Sequence, residues 1–396
     1  MTPTFRHKWC GIFLSLHNAC ESPPTGVNLV LTCVTQDQRR SLGDMAAIRK
    51  PLWVACIFAA SCLSYLVHAG EDNTLVMLNW PEYIDFDVVK KFEQQSGSLF
   101  RMVLFETDEA RDELLAATDG HGYDISQITC DRVNGYAKQG WLAPMRVHLV
   151  PNMNHIGKRW LTEFPGIANY AVPFHWGTLG IAYRPDLLGE KITRWQDLLK
   201  PSERLRQKIL MEKDSRNLAG MALKANGYSW NAHDKKAVKA ATDTLIAQRP
   251  YVKAYSYPSM DKNSGLVTGE IWAATMYNGD VRSLQAFEPR IAYVIPDEGA
   301  LLWMDCLAVL AQSKKKERAY AFINFLHAPN NAAQTANTLH YAPTNQAAIA
   351  LMPPDFLNDQ MINPPADVLR RSEFFTEQWP LRVERDYKKL LNGLIN

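Results

Sequence analysis

Cysteine is scarce over most of this chain. Five of the seven cysteines lie before residue 70, which leaves Cys130 and Cys306 in the rest of the 396-residue sequence. Two cysteines are too few for the disulfide frameworks that hold small secreted domains together, although an exported protein could form one bond between them. The sequence leaves open whether these two residues pair.

The sequence also lacks the short motifs of common enzyme classes. It contains no H-E-x-x-H, C-x-x-C, G-x-S-x-G, P-loop or G-x-G-x-x-G pattern. The ten histidines show no metal-ligand spacing, so we expect His175 and His340 to be packed or surface residues. We therefore predict a protein that is not an enzyme and has no metal or cofactor. A pair of catalytic carboxylates stays open, because no pattern selects one.

Long apolar runs are equally rare, and the single candidate lies near the N-terminus. Residues 52–67 form an apolar run of 16 residues, whereas a membrane-spanning helix needs about 20. Arg49 and Lys50 precede the run and Val67-His68-Ala69 ends it, which is the order of a secretory signal peptide. We predict a signal peptide at 45–69, with a retained membrane anchor as the alternative. We expect Met45 to be the start and 1–44 to be an over-extended reading frame.

The chain carries no marked excess of either charge. Residues 1–69 hold six of the 43 Lys/Arg and three of the 41 Asp/Glu, so the remainder has a formal net charge of about −1. No basic patch for nucleic acid is implied. The 47% hydrophobic and 21% charged composition is that of an ordinary globular protein, and the length allows two domains.

Strand and helix patterns alternate along the chain. Strands are predicted at 74–79, 99–105, 123–126, 170–183, 209–211, 271–276 and 302–311, the fourth and last as crossings between two domains. Helices are predicted from the cap Asp85 to residue 95, and at 109–118, 218–225, 235–247, 315–326 and 383–391, with Gly393 just past the end of the last. A strand, a helix and a strand within about 30 residues favour a parallel sheet covered by helices, and thus an α/β fold.

Two clusters combine aromatic and acidic side chains. One is Leu302-Trp303-Met304-Asp305-Cys306, and the other is Asn79-Trp80-Pro81-Glu82-Tyr83. An aromatic ring beside a carboxylate suits an organic ammonium group, because the ring attracts the cation and the carboxylate accepts its N–H bonds. The alternative is a core Trp followed by a capping or solvated Asp. Two such clusters far apart in sequence indicate one cleft.

Six short stretches then carry a resemblance. They are Asn79-Trp80-Pro81-Glu82-Tyr83, Tyr123-Asp124-Ile125, Pro173-Phe174-His175-Trp176-Gly177, Tyr277-Asn278-Gly279, Trp303-Met304-Asp305 and Tyr341-Ala342-Pro343-Thr344-Asn345. Their order resembles that of the periplasmic spermidine/putrescine-binding proteins over about 74–391. The resemblance implies an α/β fold of two lobes with a hinge and a central ligand cleft. It assigns 74–180 and 304–348 to lobe 1, and 181–303 and 349–396 to lobe 2.

The resemblance also implies a set of polyamine-binding residues. Five aromatic side chains would surround the methylenes and ammonium groups, namely Trp80, Tyr83, Tyr277, Trp303 and Tyr341. Asp305 would hold one amine, and Asp214 would be a second acid or, alternatively, a loop or helix-capping residue.

The chain departs from the family at several of these positions. Thr129 stands where the family usually has Ser, Asp131 where it has Tyr, and Asn217 where an acid is expected. The resemblance places Glu373 at a ligand-contacting position. A lost acid and a gained acid would move the preferred amine positions, so the resemblance does not determine the length of the ligand.

Three functions follow from these expectations. The first is a periplasmic, monomeric polyamine-binding protein that presents its ligand to the membrane permease of an ABC transporter. The second is a sensor whose ligand-bound form docks on a membrane signalling receptor. The third is an enzyme on the same scaffold, which turnover of a bound amine would support.

Overall fold

The computed structural model describes residues 73–376 and 379–395. The predicted signal peptide, 45–69, and the residues before it lie outside these ranges. No helix in the described ranges is both long enough and apolar enough to span a bilayer.

Eleven strands of the described residues belong to one sheet. They are β1 Thr74–Asn79, β2 Leu99–Leu104, β3 Ile125–Thr129, β4 Ala171–Tyr183, β5 Ile209–Met211, β6 Val252–Tyr255, β7 Ala273–Tyr277, β8 Ala292–Val294, β9 Leu301–Val309, β10 Ala342–Pro343 and β11 Glu373–Phe374. Their order is β2-β1-β3-β9-β4-β7-β5-β6, with β8 and β10 paired to β4 and β11 paired to β9. Two parallel groups, β1 to β3 and β5 to β7, are therefore joined by the antiparallel pair β9 and β4.

Helices connect and cover these strands. They are α1 Phe86–Ser96, α2 Asp108–Thr118, α3 Val133–Lys138, α4 Lys158–Thr162, α5 Pro185–Leu188, α6 Trp195–Leu199, α7 Ser215–Ala225, α8 Lys235–Gln248, α9 Gly265–Thr268, α10 Asn278–Leu284, α11 Lys316–Leu326, α12 Pro329–Leu339, α13 Gln346–Ile349, α14 Pro354–Asn358, α15 Ala366–Arg371 and α16 Leu381–Ile395. Short 3-10 helices cover Cys130–Arg132, Val147–Leu149, Pro151–His155, Ile167–Asn169, Glu203–Leu205 and Arg249–Tyr251.

Local sequence signals account for the first βαβ unit. The Asp85 carboxylate accepts two main-chain N–H bonds at the start of α1, and Gly97 ends the helix in a left-handed conformation. Val88, Val89 and Phe92 lie on one buried face of the helix. The predicted parallel pairing of β1 and β2 is confirmed.

Two long strands cross between the parallel groups. All 13 residues of β4 are buried, and the strand pairs first with β9 and then, from Leu179 onward, with β7. Strand β9 pairs with β3 on its other side. Both strands are hydrogen-bonded on two sides and form the centre of the sheet, and the predicted crossings are confirmed.

The described residues have two main hydrophobic cores. One contains side chains of β1, β3, α11, α12 and the first half of β4. The other contains side chains of β5, α6, α7, α8 and α16, and a smaller cluster lies beside β7 and α10. This arrangement confirms an α/β fold of two lobes.

The last helix extends further than predicted. Helix α16 continues to Ile395, so the prediction that Gly393 follows its end is wrong. Leu391 and Leu394 both pack into the second core, on either side of the glycine. Burial of these two leucines outweighs the roughly 1 kcal/mol that a glycine costs inside a helix.

Candidate functional site

Three aromatic side chains from distant segments meet around Trp303. The centroid of its ring lies 4.8 Å from that of Tyr341, 5.8 Å from that of Tyr277 and 6.2 Å from that of Tyr83. Tyr83 and Tyr341 are themselves 5.4 Å apart. We call these four residues the aromatic box. Each of its pairs is inclined rather than stacked in parallel, which suits the attraction between ring edges and faces.

Two glycines allow the rings to approach the backbone. Gly177 on β4 pairs with Trp303 on β9, and a β-carbon at Gly177 would lie 2.7 Å from the indole. A β-carbon at Gly279 would lie 2.5 Å from the ring of Tyr341. Only glycine leaves room for both rings, which explains why these residues stand within the predicted motifs.

Asp305 lies on the same face of β9 as Trp303, because alternate strand residues share a face. Its carboxylate is only 6% exposed. Burial raises the pKa of Asp305 to about 7; the charges of Asp108 and Asp131 add to this effect, and Arg111 and the Tyr83 hydroxyl oppose it. Among the described residues, no Lys or Arg forms an ion pair with Asp305. This carboxylate is therefore buried without a cation supplied by the described part of the chain.

A second acidic group lies where β5 ends. Glu212 follows the strand directly, and Asp214 caps α7 by accepting the N–H of Asn217 at 2.8 Å. The Asn217 amide donates to Glu212 Oε2 at 3.2 Å and to the Tyr277 hydroxyl at 3.3 Å. The hydroxyl of Tyr277 thus links this group to the aromatic box.

Thr129 is the last residue of β3, and Asp131 follows it in the 3-10 helix Cys130–Arg132. Thr129 pairs with Asp305 in the sheet and donates its hydroxyl to Asp108 at 3.2 Å. The Asp131 carboxylate accepts a 2.6 Å bond from Arg216. Thr129 and Asp131, which both depart from the family pattern, therefore contact other residues of the protein. The charge of Asp131 is matched by that of Arg216.

Trp80 and Glu373 belong to other contact groups. The ring of Trp80 packs at 4.5 Å from Phe105, with the Arg111 guanidinium 5.9 Å from its centroid. Glu373 accepts a 2.5 Å bond from Lys224 and a further bond from Ser229, and it lines a separate cavity of about 460 Å3. Of the predicted set, the structure therefore brings together the aromatic box, Asp305, Asp214 and Asn217, with Thr129 and Asp131 beside them.

A disulfide bond fixes two of these segments to each other. Cys130 and Cys306 are bonded, with their sulfur atoms 1.97 Å apart. Cys130 stands between Thr129 and Asp131, and Cys306 directly follows Asp305. The pairing that the sequence left open therefore ties the turn after β3 to β9 beside the carboxylate.

Comparison with known proteins assigns the family. Residues 87–364 match the model of the bacterial extracellular solute-binding proteins. The chain belongs to this family. It is 30% identical over 348 residues to the spermidine/putrescine-binding periplasmic protein of Escherichia coli (strain K12), covering 86% of this chain and 99% of that protein.

One further relative and one solved structure are also similar to this solute-binding protein over most of its length. The putrescine/agmatine-binding protein of Pseudomonas aeruginosa is 29% identical over 358 residues, covering 83% of this chain and 95% of that protein. The solved structure of a spermidine/putrescine ABC transporter substrate-binding protein from Streptococcus pneumoniae superposes with a TM-score of 0.68 at 26% identity, covering 81% and 98% of the two chains.

The histidines of this solute-binding protein match their predicted role. His175 is fully buried, and burial lowers its pKa to about 3, so it is neutral at ordinary pH. His340 ends α12 in a left-handed conformation. Within the described ranges, no group of His, Cys, Asp and Glu is arranged to hold a metal ion.

The sequence prediction missed two acids beside the box. They are Glu212 and Asp280, and Asp280 accepts bonds from the hydroxyls of Tyr257 at 2.5 Å and Tyr341 at 2.8 Å. Burial raises the pKa of both carboxyls, and that of Glu212 to about 8. Both acids follow closely after a strand, β5 for Glu212 and β7 for Asp280. This position could have identified them, because ligands of α/β proteins bind at the carboxyl ends of strands.

Proposed function

We propose that this solute-binding protein is periplasmic, binds a polyamine of the putrescine/spermidine class and delivers it to the permease of an ABC transporter. The observation that carries the proposal is Asp305, a buried residue on the same face of β9 as Trp303 of the aromatic box and without an ion-pair partner among the described residues. The names of the relatives support the same class of ligand.

The chemistry of a polyamine fits this arrangement at each of its parts. An ammonium group would donate hydrogen bonds to Asp305 and restore its ionised state. The methylenes between ammonium groups would pack against the rings, and each ring face would attract the neighbouring positive charge. Of the eleven residues predicted from the sequence, we propose the aromatic box and Asp305 as the centre of the site, with Thr129, Asp131, Asp214 and Asn217 around it. Trp80 and Glu373 contact other groups and stand outside this proposal.

The two lobes provide the means of capture. We propose the lobe boundaries given above, with the hinge in the crossing strands β4 and β9. A ligand that contacts both lobes binds the closed form better and shifts the population toward it. The closed form of a monomer would then dock on the permease. The named relatives give the signalling alternative no support, and we propose no catalytic activity.

The Cys130–Cys306 bond supports an exported location, because disulfides persist in oxidising compartments such as the periplasm. We therefore retain the predicted signal peptide at 45–69 as part of the proposal. Detection of a mature N-terminus at Gly70 in periplasmic extracts would support it.

The test of function is a calorimetric titration of the protein without residues 1–69. Putrescine, spermidine, norspermidine and spermine are titrated separately into ligand-free protein. We expect tight binding of at least one of them. 1,4-Butanediol, which has the carbon chain of putrescine without its charges, is the matched control and should give no binding heat. A folded protein that binds none of the four amines would overturn the proposal.

A further inference from the structure

Glu212 is held rigidly at the carboxyl end of β5. Its side chain is 5% exposed, although it carries a carboxylate. Its main-chain N–H donates to the hydroxyl of Thr275 on β7 at 3.0 Å, which fixes the backbone where the two strands lie side by side. The side chain therefore leaves the sheet at a defined point beside Tyr277, the last residue of β7.

The amide of Asn217 orients this carboxylate toward the aromatic box. Asn217 lies in the first turn of α7, and its Nδ2 group bridges Glu212 Oε2 and the Tyr277 hydroxyl. Glu212 Oε1 is buried and has no hydrogen-bond partner within the described residues. One oxygen is thus occupied by the protein, and the other is available to a ligand beside a ring of the box.

The charge of Glu212 is also unmatched. No Lys or Arg of the described ranges forms an ion pair with it. Burial and the neighbouring charge of Asp214 raise the pKa of Glu212 to about 8. Burial raises the pKa of the Tyr277 hydroxyl, and the charges of Glu212 and Asp305 raise it further, so Tyr277 lies within electrostatic reach of both acids.

Other buried acids of this chain, which have structural roles, differ from Glu212 in having ion-pair partners or several hydrogen-bond donors. Asp108 forms ion pairs with Arg111 and Arg132. Asp85 caps α1 and also accepts bonds from Gln334 and Thr338. Such partners offset the cost of burying a carboxylate, whereas a single amide donor leaves most of that cost in place.

We propose that Glu212 is a ligand-contacting acid of the polyamine site, with Asn217 as the residue that positions it. Glu212 binds one ammonium group of the polyamine while Asp305 binds another. This inference rests on the proposed function and assigns the second charged contact of the same site.

The test compares Glu212→Gln with the parent, both without residues 1–69, in calorimetric titrations with the amine that the parent binds best. We expect the dissociation constant to rise at least tenfold, because one charged contact becomes neutral. Glu190→Gln, an exposed acid of the same segment, is the matched control and should bind as the parent does. Adding Asn217→Glu to Glu212→Gln should restore part of the affinity, because the charge returns to the same place.

A second measurement does not depend on the folding of a variant. Parent protein is titrated at pH 8 in two buffers with different ionisation enthalpies, which reports the protons released on binding. We expect release, because the cation ionises Glu212, whose pKa of about 8 leaves it partly protonated. Unchanged affinity in a folded Glu212→Gln variant, or no proton release, overturns this inference and leaves the proposed function standing. A parent that binds no polyamine overturns both.

Discussion

Arg216 and Asp131 form an ion pair at 2.6 Å between the two lobes. Helix α7, which carries Arg216, packs into the second core, whereas the turn that carries Asp131 packs into the first. Both side chains are nearly buried, with 10% and 8% of their surfaces exposed. The guanidinium also lies 4.0 Å from the ring centroid of Phe375. This pair therefore fastens the lobes to each other beside the aromatic box.

We expect Asp131→Asn to weaken polyamine binding at least tenfold, or about 1.4 kcal/mol. Loss of the carboxylate removes the ion pair that Asp131 forms with the nearly buried Arg216, and separating the lobes offsets this loss by returning the guanidinium to water. Small-angle scattering of the ligand-free variant should show a larger radius of gyration than the parent. Glu203→Gln removes an exposed ion pair with Arg206 and is the matched control. Equal affinity and equal radius for Asp131→Asn and parent would contradict the prediction.

Gly177→Ala should weaken polyamine binding while the protein stays folded. The new β-carbon would stand 2.3 Å from Asn278 Oδ1 and 2.7 Å from the indole of Trp303, so the ring must shift. We expect the dissociation constant to rise at least tenfold and the tryptophan fluorescence of the protein to change. Calorimetry and emission spectra measure these effects.

The control for Gly177→Ala is Gly393→Ala, because a β-carbon at Gly393 meets no atom within 4 Å. Removing a glycine from the interior of α16 should leave binding unchanged and stabilise the helix by up to about 1 kcal/mol. Parent-like affinity and spectra in both variants would show that the indole adapts without cost to the ligand.

Local rules predicted much of the fold from the sequence. Asp85 caps α1 as predicted, since a cap depends on residues only two or three positions away. The family pattern also named the four members of the aromatic box, although it grouped Trp80 with them, and Trp80 packs against Phe105 instead. Boundaries were less accurate where packing decides them, as the continuation of α16 past Gly393 illustrates.

The finer chemistry of the site depends on contacts between distant segments. The bond between Asn217 and Glu212 matters because β5 lies beside β7, which brings Tyr277 to the same amide. Lys224 draws Glu373 into another contact group across 149 positions of sequence. A single sequence carries no local signal for such contacts between distant segments. These contacts decide which buried acids have no cation beside them.

Replacing Cys130 and Cys306 together by Ala should destabilise the protein by about 2–4 kcal/mol, because the crosslink limits the unfolded chain. Binding should weaken as well, because the bond holds Asp305 against the turn that carries Asp131. Denaturant unfolding and titration of the double variant measure the two effects.

The parent without residues 1–69 has no other cysteine, so a thiol assay should detect none before reduction and two after it. Reactive thiols in the air-oxidised parent would contradict the bond.

Polyamine affinity should rise with pH between about 6 and 8. The ligand binds the ionised carboxylates, whereas burial raises the pKa of Asp305 to about 7 and that of Glu212 to about 8. Protonation of Asp305 alone should weaken binding about tenfold from pH 8 to pH 6. Fluorescence titrations across this range measure the slope, and Asp305→Asn should reduce it to the part that Glu212 contributes. An affinity that is constant or falls with pH would contradict an acidic anchor in the site.

Asp305→Asn should stabilise the ligand-free protein at pH 8 while it weakens polyamine binding. The folded-state pKa of Asp305, about 7, lies above its ordinary value of 3.8, so the folded protein binds more protons than the unfolded chain between these values. Stability of the parent therefore falls as pH rises through this window, and the full cost of the buried charge is present above pH 7. The neutral amide avoids that cost, which we expect to be about 1 kcal/mol or more.

Scanning calorimetry without ligand at pH 8 and pH 4 measures this difference between Asp305→Asn and the parent. The variant should unfold at a higher temperature at pH 8, and the advantage should disappear at pH 4, where the parent carboxyl is protonated. A carboxylate retained for folding would give the opposite result, a variant that is less stable at pH 8. Because an ammonium ligand offsets the same charge, saturating polyamine should raise the unfolding temperature of the parent more than that of the variant. A residue retained for binding lowers the stability of the free protein, and the ligand reverses that loss. A residue retained for folding stabilises the free protein, so the two measurements distinguish these roles.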